Sequence, residues 1–186
     1  KKLLSEGDSF LAKGNFESAQ ISFNQASNLM PGLWMPYFKK GIAFGSQNKF
    51  KQAEQEYRKG LEIYPDHPFL LANYGATLAA LGEMSKAEPL LRAAIRQLPN
   101  NSSAYNSLAQ VYLRQKKLGK ARDMLLLAVT VNPNSGAEHA NLAMLYAMMN
   151  QRDMAKVHLR KALELGLRNS MTESLQKILQ NSIQKR

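Results

Sequence analysis

The sequence contains no cysteine. The 186 residues therefore hold no disulfide framework, no thiol nucleophile and no cysteine-ligated zinc or iron–sulfur site. Apolar runs near the roughly 18 residues of a membrane-spanning helix are also missing, because Lys, Asn, Gln or Glu interrupts each long stretch. No basic-then-apolar signal sequence opens the chain, although a sequence that begins at Lys1 without methionine can be an excised piece. With 45% hydrophobic and 21% charged residues, the composition indicates an ordinary globular protein and assigns no compartment.

A 34-residue period organises the chain. Prolines recur on it at Pro31, Pro65, Pro99 and Pro133. Small residues recur on the same period in three slots: Gly7, Gly41, Gly75, Ala109 and Ala143; Ala19, Ala53, Ala87, Ala121 and Ala155; Ala26, Gly60, Ala94, Ala128 and Ala162. Large apolar residues also recur every 34 residues. Five copies in register across so many slots predict a repeat protein.

Each repeat contains two helical halves. Within a half the recurring residues are spaced four and then three apart, as in Tyr37, Gly41 and Phe44, which places them on one stripe of a helix. Small residues at these slots let two antiparallel helices approach closely. The halves meet at residues suited to a left-handed turn, with a lysine as the exception: Gly14, Asn48, Gly82, Lys116 and Asn150.

The second half of the third repeat carries a capping-box pattern, Ser85 followed by Glu88. It predicts a helix that starts at Ser85 and holds Pro89 in its first turn, where proline is tolerated.

This pattern resembles the tetratricopeptide repeat. The resemblance covers residues 1–169 and implies an all-α, right-handed α-solenoid of five helix-turn-helix repeats: 1–33, 34–67, 68–101, 102–135 and 136–169. The remaining residues, 170–186, are expected to form a capping helix over 170–184, begun by Asn169 or Ser170 and followed by a tail. A dimerisation helix is the alternative for this segment. Since Leu3 already belongs to the first repeat, either further repeats precede it or that end is left open.

No constellation of catalytic residues is evident, so we expect no enzyme activity, no metal and no cofactor. The histidines, His67, His139 and His158, form no metal-binding i, i+4 pattern. His139 fills a slot that holds leucine or tyrosine in other repeats, and we interpret it as a packing residue. The glycines are spread along the repeats and form no phosphate-binding loop.

The net charge of +11 raises nucleic acid or an anionic membrane surface as a partner. The Lys and Arg residues lie mostly at the turns and along the second helix of each repeat, however, interleaved with Glu and Asp. A solvated outer face is the favoured interpretation, with an anionic partner on that face as the alternative.

The resemblance implies that function lies in a concave groove lined by the first helices. The family's binders of chaperone tails hold a carboxylate with Lys, Asn and Arg, but the matching places here include Leu4 and Asp8, so that activity is not supported. The groove is instead apolar in the second and third repeats, with an alanine floor at Ala72, Ala76 and Ala79, and polar or flexible further on. The predicted peptide-groove residues are Met35, Phe38, Ile42, Phe69, Asn73, Asn106, Gln110, Asn141 and Met144.

These features predict a non-catalytic scaffold whose groove binds a peptide segment or an amphipathic helix of another protein. The asparagines are candidates for hydrogen bonds to a peptide backbone. In the competing interpretation these residues bind no partner: Phe38 and Ile42 pack between helix pairs, and the asparagines bond to water or to each other. Two rival functions stay open, a nucleic-acid-binding helical repeat and self-assembly through the repeat ends. No small-molecule substrate is expected.

Overall fold

A computed structural model describes residues 2–180, which form eleven α-helices and no strand. The helices are α1 Lys2–Ala12, α2 Phe16–Leu29, α3 Trp34–Gly45, α4 Phe50–Ile63, α5 Pro68–Ala80, α6 Met84–Gln97, α7 Ser102–Arg114, α8 Leu118–Val131, α9 Gly136–Met148, α10 Arg152–Glu164 and α11 Ser170–Gln180. The prediction of an all-helical fold of helix pairs is confirmed. The predicted end of the last helix and the tail beyond residue 180 lie outside the described residues.

The helices form two compact units, unit 1 over Lys1–Pro99 and unit 2 over Asn100–Arg186. In unit 1 the pairs α1–α2, α3–α4 and α5–α6 pack internally, and α2 and α4 each pack on the first helix of the next pair. Unit 2 repeats this scheme with α7–α8 and α9–α10, which are joined by packing between α8 and α9. Its last helix, α11, packs against both α9 and α10, as expected of a capping helix.

Glycine on the first helix makes room for a large residue on the second. In unit 1 a Cβ atom at Gly41 would collide with the ring of Tyr57, and one at Gly75 would lie 2.7 Å from Leu91 Cγ. Tyr57 and Leu91 are buried in their helix pairs. The recurring small slot is therefore a steric requirement of close helix packing.

The five turns within the helix pairs share one geometry. The predicted turn residues Gly14, Asn48, Gly82, Lys116 and Asn150 all have positive φ, between 58° and 87°. The residue after each turn residue donates its backbone N–H to a carbonyl five residues earlier, as in Lys117 N to Tyr112 O at 2.8 Å. Even Lys116 adopts the left-handed conformation, with φ of 59°, so the repeat geometry overrides the residue's own preference.

The predicted capping box at Ser85 is wrong. Helix α6 begins at Met84 after Glu83, whose backbone N–H already bonds to Leu78 O at 2.8 Å in the common turn. That turn sets the start of the helix one residue before Ser85, and Pro89 consequently lies beyond the first turn. Glu88 is held instead by Arg92, one helical turn later, at 3.0 Å.

Asn169 caps the terminal helix. Its side-chain oxygen accepts the backbone N–H of Thr172 at 3.1 Å, and its own N–H donates to Thr172 Oγ1 at 3.0 Å. Of the predicted apolar stripe, Leu175 and Leu179 are buried, whereas Ile178 is about half exposed. The reciprocal cap defines the start of α11, and the buried leucines hold the helix against the rest of unit 2.

Candidate functional site

A cleft in unit 1 is the clearest candidate binding site. It has a volume of about 320 Å³ and lies between α3 and α5, with α4 behind it. The lining residues are Ile42, Gly45, Ser46, Phe50, Tyr57, Asn73, Ala76 and Thr77. Two predicted groove residues, Ile42 and Asn73, are thus brought together, and Ala76 of the predicted alanine floor lies beside them. The other two floor residues, Ala72 and Ala79, are buried.

Part of the cleft is open because α3 carries a glycine there. Gly45 has no atom within 4 Å of the position that a Cβ would take, so this part of α3 leaves free space. Ile42 is half-buried and contributes an apolar wall. The space is large enough for one or two side chains of a partner.

Asn73 gives the cleft a hydrogen-bond acceptor. Its Nδ2 donates to the backbone carbonyl of Phe69, one turn earlier in α5, at 2.8 Å. This bond fixes the amide, and within residues 2–180 its carbonyl oxygen has no protein donor. A half-buried acceptor at the edge of an apolar cleft suits a peptide N–H.

Phe38 lies against the core of unit 1. Its ring centroid is 6.2 Å from that of Tyr57 and 5.7 Å from that of Trp34, and it packs on a cluster of buried residues that includes Leu70. This placement agrees with the competing interpretation, in which Phe38 packs between helix pairs. A groove role for Phe38 stays a prediction.

An aromatic cluster lies next to Phe38. The tilted rings of Trp34 and His67 have centroids 3.7 Å apart, and the ring of Tyr64 meets His67 edge-on at 5.0 Å. Burial lowers the pKa of His67. The ring of the predicted groove residue Phe69, which is 45% exposed, lies 5.9 Å from His67. Met35, the other predicted mouth residue, is half-buried on α3.

The sequence pattern did not predict this aromatic cluster. Trp34, Tyr64 and His67 fall at repeat junctions and have no aromatic counterpart 34 residues away in most repeats, so a search for periodic residues passes over them. The single tryptophan of the chain was the available signal.

In unit 2 the predicted asparagines bond to each other. Asn141 Nδ2 on α9 donates to Asn106 Oδ1 on α7 at 3.2 Å, which matches the competing interpretation for these residues. The pair still leaves the amide N–H groups of Asn106 and the amide oxygen of Asn141 for a ligand. Of the other predicted residues of this unit, Gln110 is exposed on α7 and Met144 is half-buried on α9.

Helix α10 of unit 2 carries a basic face. Arg152, Lys156 and Arg160 are exposed, recur every four residues along α10 and have no ion pair within the described part of the chain. In unit 1, by contrast, the ammonium of Lys40 lies 2.7 Å from the carboxylate of Glu56, and both side chains are buried. Exposed unpaired cations on one helix face form a positive stripe.

Across 2–180 no group of three or more His, Asp or Glu side chains is placed to hold a metal ion. None of the helices described is long and apolar enough to cross a membrane.

Known structures share this fold. PilF of Pseudomonas aeruginosa superimposes with a TM-score of 0.85 at 22% identity, covering 100% of this chain and 84% of that one. YrrB, whose structure was described as that of a TPR protein with an unusual peptide-binding site, gives a TM-score of 0.67 at 18% identity and covers 94% and 90% of the two chains. At these identities the likeness concerns the fold alone.

A similarity in sequence also exists. The human cell division cycle protein 16 homolog is 30% identical over 71 residues, which is 38% of this chain but only 12% of that protein. The tetratricopeptide repeat profile matches residues 46–111 and 81–145, and a second profile of the same description matches 139–165. These matches cover more than half of the sequence, and the chain belongs to the tetratricopeptide repeat family.

Proposed function

We propose that the protein is a non-catalytic interaction scaffold that binds a peptide segment or an amphipathic helix of a partner protein in the cleft between α3 and α5. Tetratricopeptide repeat proteins generally act as protein–protein interaction scaffolds rather than as enzymes, and this chain has the family's fold. The site and the form of the partner are our proposal.

The cleft of unit 1 carries this proposal. It joins an apolar wall, Ile42 and Ala76, to a fixed acceptor, the amide oxygen of Asn73. An aliphatic side chain of the partner that leaves water for this cleft contributes about 1.5–3 kcal/mol. The hydrogen bond from a partner N–H to Asn73 then sets the register of the peptide. YrrB, which shares the fold, was described as having an unusual peptide-binding site, and this supports a peptide as the ligand.

Unit 2 has a candidate peptide contact of its own. The free donor groups of Asn106 and the free acceptor of Asn141 match the alternating N–H and C=O groups of an extended backbone. Met144 and Gln110 supply an adaptable apolar contact and a polar one on the same two helices.

The test begins with partner capture by the full chain, followed by measured affinities. We expect Ile42→Glu to weaken binding at least about tenfold and Asn73→Ala by about three- to tenfold. Matched controls lie on α2 of the same unit: Ile21→Glu, at a side chain that is 59% exposed, and Asn24→Ala. If the controls weaken binding as much as the cleft variants, the partner does not use this cleft.

The positive stripe on α10 favours a second candidate, an anionic partner. Arg152, Lys156 and Arg160 have the spacing to follow a line of phosphates or carboxylates. Titration with labelled single-stranded RNA at rising salt separates the two functions. Binding tighter than micromolar with a steep salt slope assigns the protein to nucleic acid, whereas its absence leaves the protein partner.

We also propose that each helix pair corresponds to one repeat of the predicted boundaries. In support, α3, α5, α7 and α9 begin at Trp34, Pro68, Ser102 and Gly136, the first residues of the second to fifth repeats. Self-assembly through the repeat ends is tested by sedimentation over a range of concentrations, where a constant sedimentation coefficient excludes it.

A further inference from the structure

Two histidines face each other inside unit 2. Nδ1 of His139, on α9, lies 3.0 Å from Nδ1 of His158, on α10, and the rings stack with centroids 5.3 Å apart. His139 is only 8% exposed, and His158 is half-buried beneath the ring of Tyr146, 5.6 Å away. The contact joins the two helices of the last pair.

The surrounding atoms decide where the protons are. Nε2 of His139 lies 3.1 Å from the backbone carbonyl oxygen of Pro133. A carbonyl oxygen only accepts, so Nε2 of His139 carries a proton and donates it. In the neutral form Nδ1 of His139 is then an acceptor, and Nδ1 of His158 is the donor.

The contact tolerates one added proton but not two. A first proton adds to Nε2 of His158 and leaves the Nδ1–H to Nδ1 bond in place. A second proton must add to Nδ1 of His139, which sets one N–H against another and puts two positive charges 3 Å apart. The hydrogen bond between α9 and α10 is then lost.

Burial and the neighbouring imidazole both act against a charge on His158. Within the described residues no carboxylate shifts the pKa of His158, which is lowered by burial and, second, by the charge of His139. The charged side chains of the helices that pack in this part of unit 2 are Lys120, Arg122 and Asp123 on α8, Glu138 on α9, Arg152, Asp153, Lys156, Arg160, Lys161 and Glu164 on α10, and Glu173 and Lys177 on α11. Two of the acids are engaged elsewhere, Asp123 by Arg122 at 2.9 Å and Glu164 by Lys161 at 3.7 Å.

We propose that the contact between His139 and His158 is a proton-operated lock that holds α10 against α9 at neutral pH and releases the terminal helices on acidification. The lock is closed while at most one extra proton is present on the pair. It opens when both imidazoles are charged, and α11 loosens with α10 because it packs on that helix.

The sign follows from proton uptake. His158 has a lowered pKa in the closed form, so the opened form, with ordinary histidine pKa values near 6.5, binds more protons. The lock is therefore at full strength above about pH 6.5 and weakens as the pH falls below it. Each extra proton taken up on opening raises the opening equilibrium constant about tenfold per pH unit.

Hydrogen exchange of the full chain tests the lock. We expect the protection factors of the α10 and α11 amides to fall about tenfold per pH unit below about pH 6, while those of α2 in unit 1 stay constant. In His139→Tyr, which places in the fifth repeat the residue found at Tyr37 and Tyr105, the slope at α10 should disappear. His158→Phe, which keeps a ring against Tyr146, should remove it too.

Two further measurements cover the other outcomes. In the wild-type chain, NMR titration of the imidazole Cε1 protons should show two separate protonation steps for the pair, and a single step near pH 6.5 for both rings overturns the proposal. The exchange experiment is repeated with Zn²⁺ and with EDTA. A slope that EDTA abolishes assigns the pair to a metal instead, and a slope that persists in both variants assigns it to other groups.

Discussion

In unit 1 the small slot of the first helix holds glycine against a large side chain, whereas in unit 2 the same slot holds alanine against leucine. Gly41 faces Tyr57, and the equivalent residues of the fourth repeat are Ala109 and Leu125. Both solutions bury the second-helix residue almost completely. Glycine in this slot faces leucine as well as aromatic rings, as Gly75 does with Leu91, whereas alanine in unit 2 faces only leucine, so the smaller residue accepts the wider range of partners at the helix crossing.

The two units also differ in their balance of basic and acidic residues and in their ion pairs. Residues 1–99 contain 12 Lys and Arg against 9 Asp and Glu, while residues 100–186 contain 13 against 5. Two ion pairs of unit 1 join different helices: Lys39 on α3 with Asp8 on α1 at 2.8 Å, and Lys40 on α3 with Glu56 on α4 at 2.7 Å. In the described part of unit 2, Arg122 pairs with Asp123 on α8 and Lys161 pairs with Glu164 on α10, so these two ion pairs each lie within one helix.

The largest effect is expected from exchanging the small residue of unit 1. Gly41→Ala places a methyl group into the ring of Tyr57 and should lower the free energy of unfolding by about 2–3 kcal/mol, measured by urea denaturation. The double variant Gly41→Ala with Tyr57→Leu, which copies the pair of the fourth repeat, should recover most of that loss. If the double variant is no more stable than the single one, the two slots are not coupled.

A smaller effect is expected from the buried ion pair of unit 1. Lys40→Met removes the ammonium 2.7 Å from Glu56 and should cost about 2 kcal/mol, because the buried carboxylate keeps only its bond to Lys59, at 2.9 Å. The matched control is Lys86→Met, which breaks an exposed pair with Glu83 and should change the stability by less than about 0.5 kcal/mol. Equal losses in the two variants contradict this account of unit 1.

The smallest effect is a gain in unit 2. Lys116 occupies a left-handed turn position that Gly14 and Gly82 fill in unit 1. Lys116→Gly should raise the melting temperature slightly, by the equivalent of about 1 kcal/mol, because glycine adopts positive φ without steric cost. Gly82→Lys is the reverse substitution and should lower stability by a similar amount.

The sequence predicts what the repeat makes periodic. The helix pairs, the turn at Lys116 and the close approach at Gly41 all follow from spacing, because the same local geometry recurs every 34 residues. The predicted start of α6 was wrong because the turn shared by all the helix pairs, and not the side chain of Ser85, sets that boundary.

The contacts between residues outside the period could not be predicted. The ring contact of Trp34 with His67 joins residues 33 positions apart, and the contact of His139 with His158 joins residues 19 positions apart; neither pair has a counterpart in the other repeats. Spacing alone also could not tell which of the predicted groove residues line the cleft. Spacing places Phe38 and Ile42 on one side of α3, but only the packing of α4 separates a core ring from a cleft wall.

The most direct test is a footprint of the bound partner. Hydrogen exchange of the full chain, with and without the captured partner, reports which helices the partner protects. We predict slower exchange in the segments of α3 and α5 around Ile42 and Asn73, with α6 and α10 unchanged. Protection confined to α10, with α3 and α5 unaffected, would contradict the assignment of the cleft as the binding site.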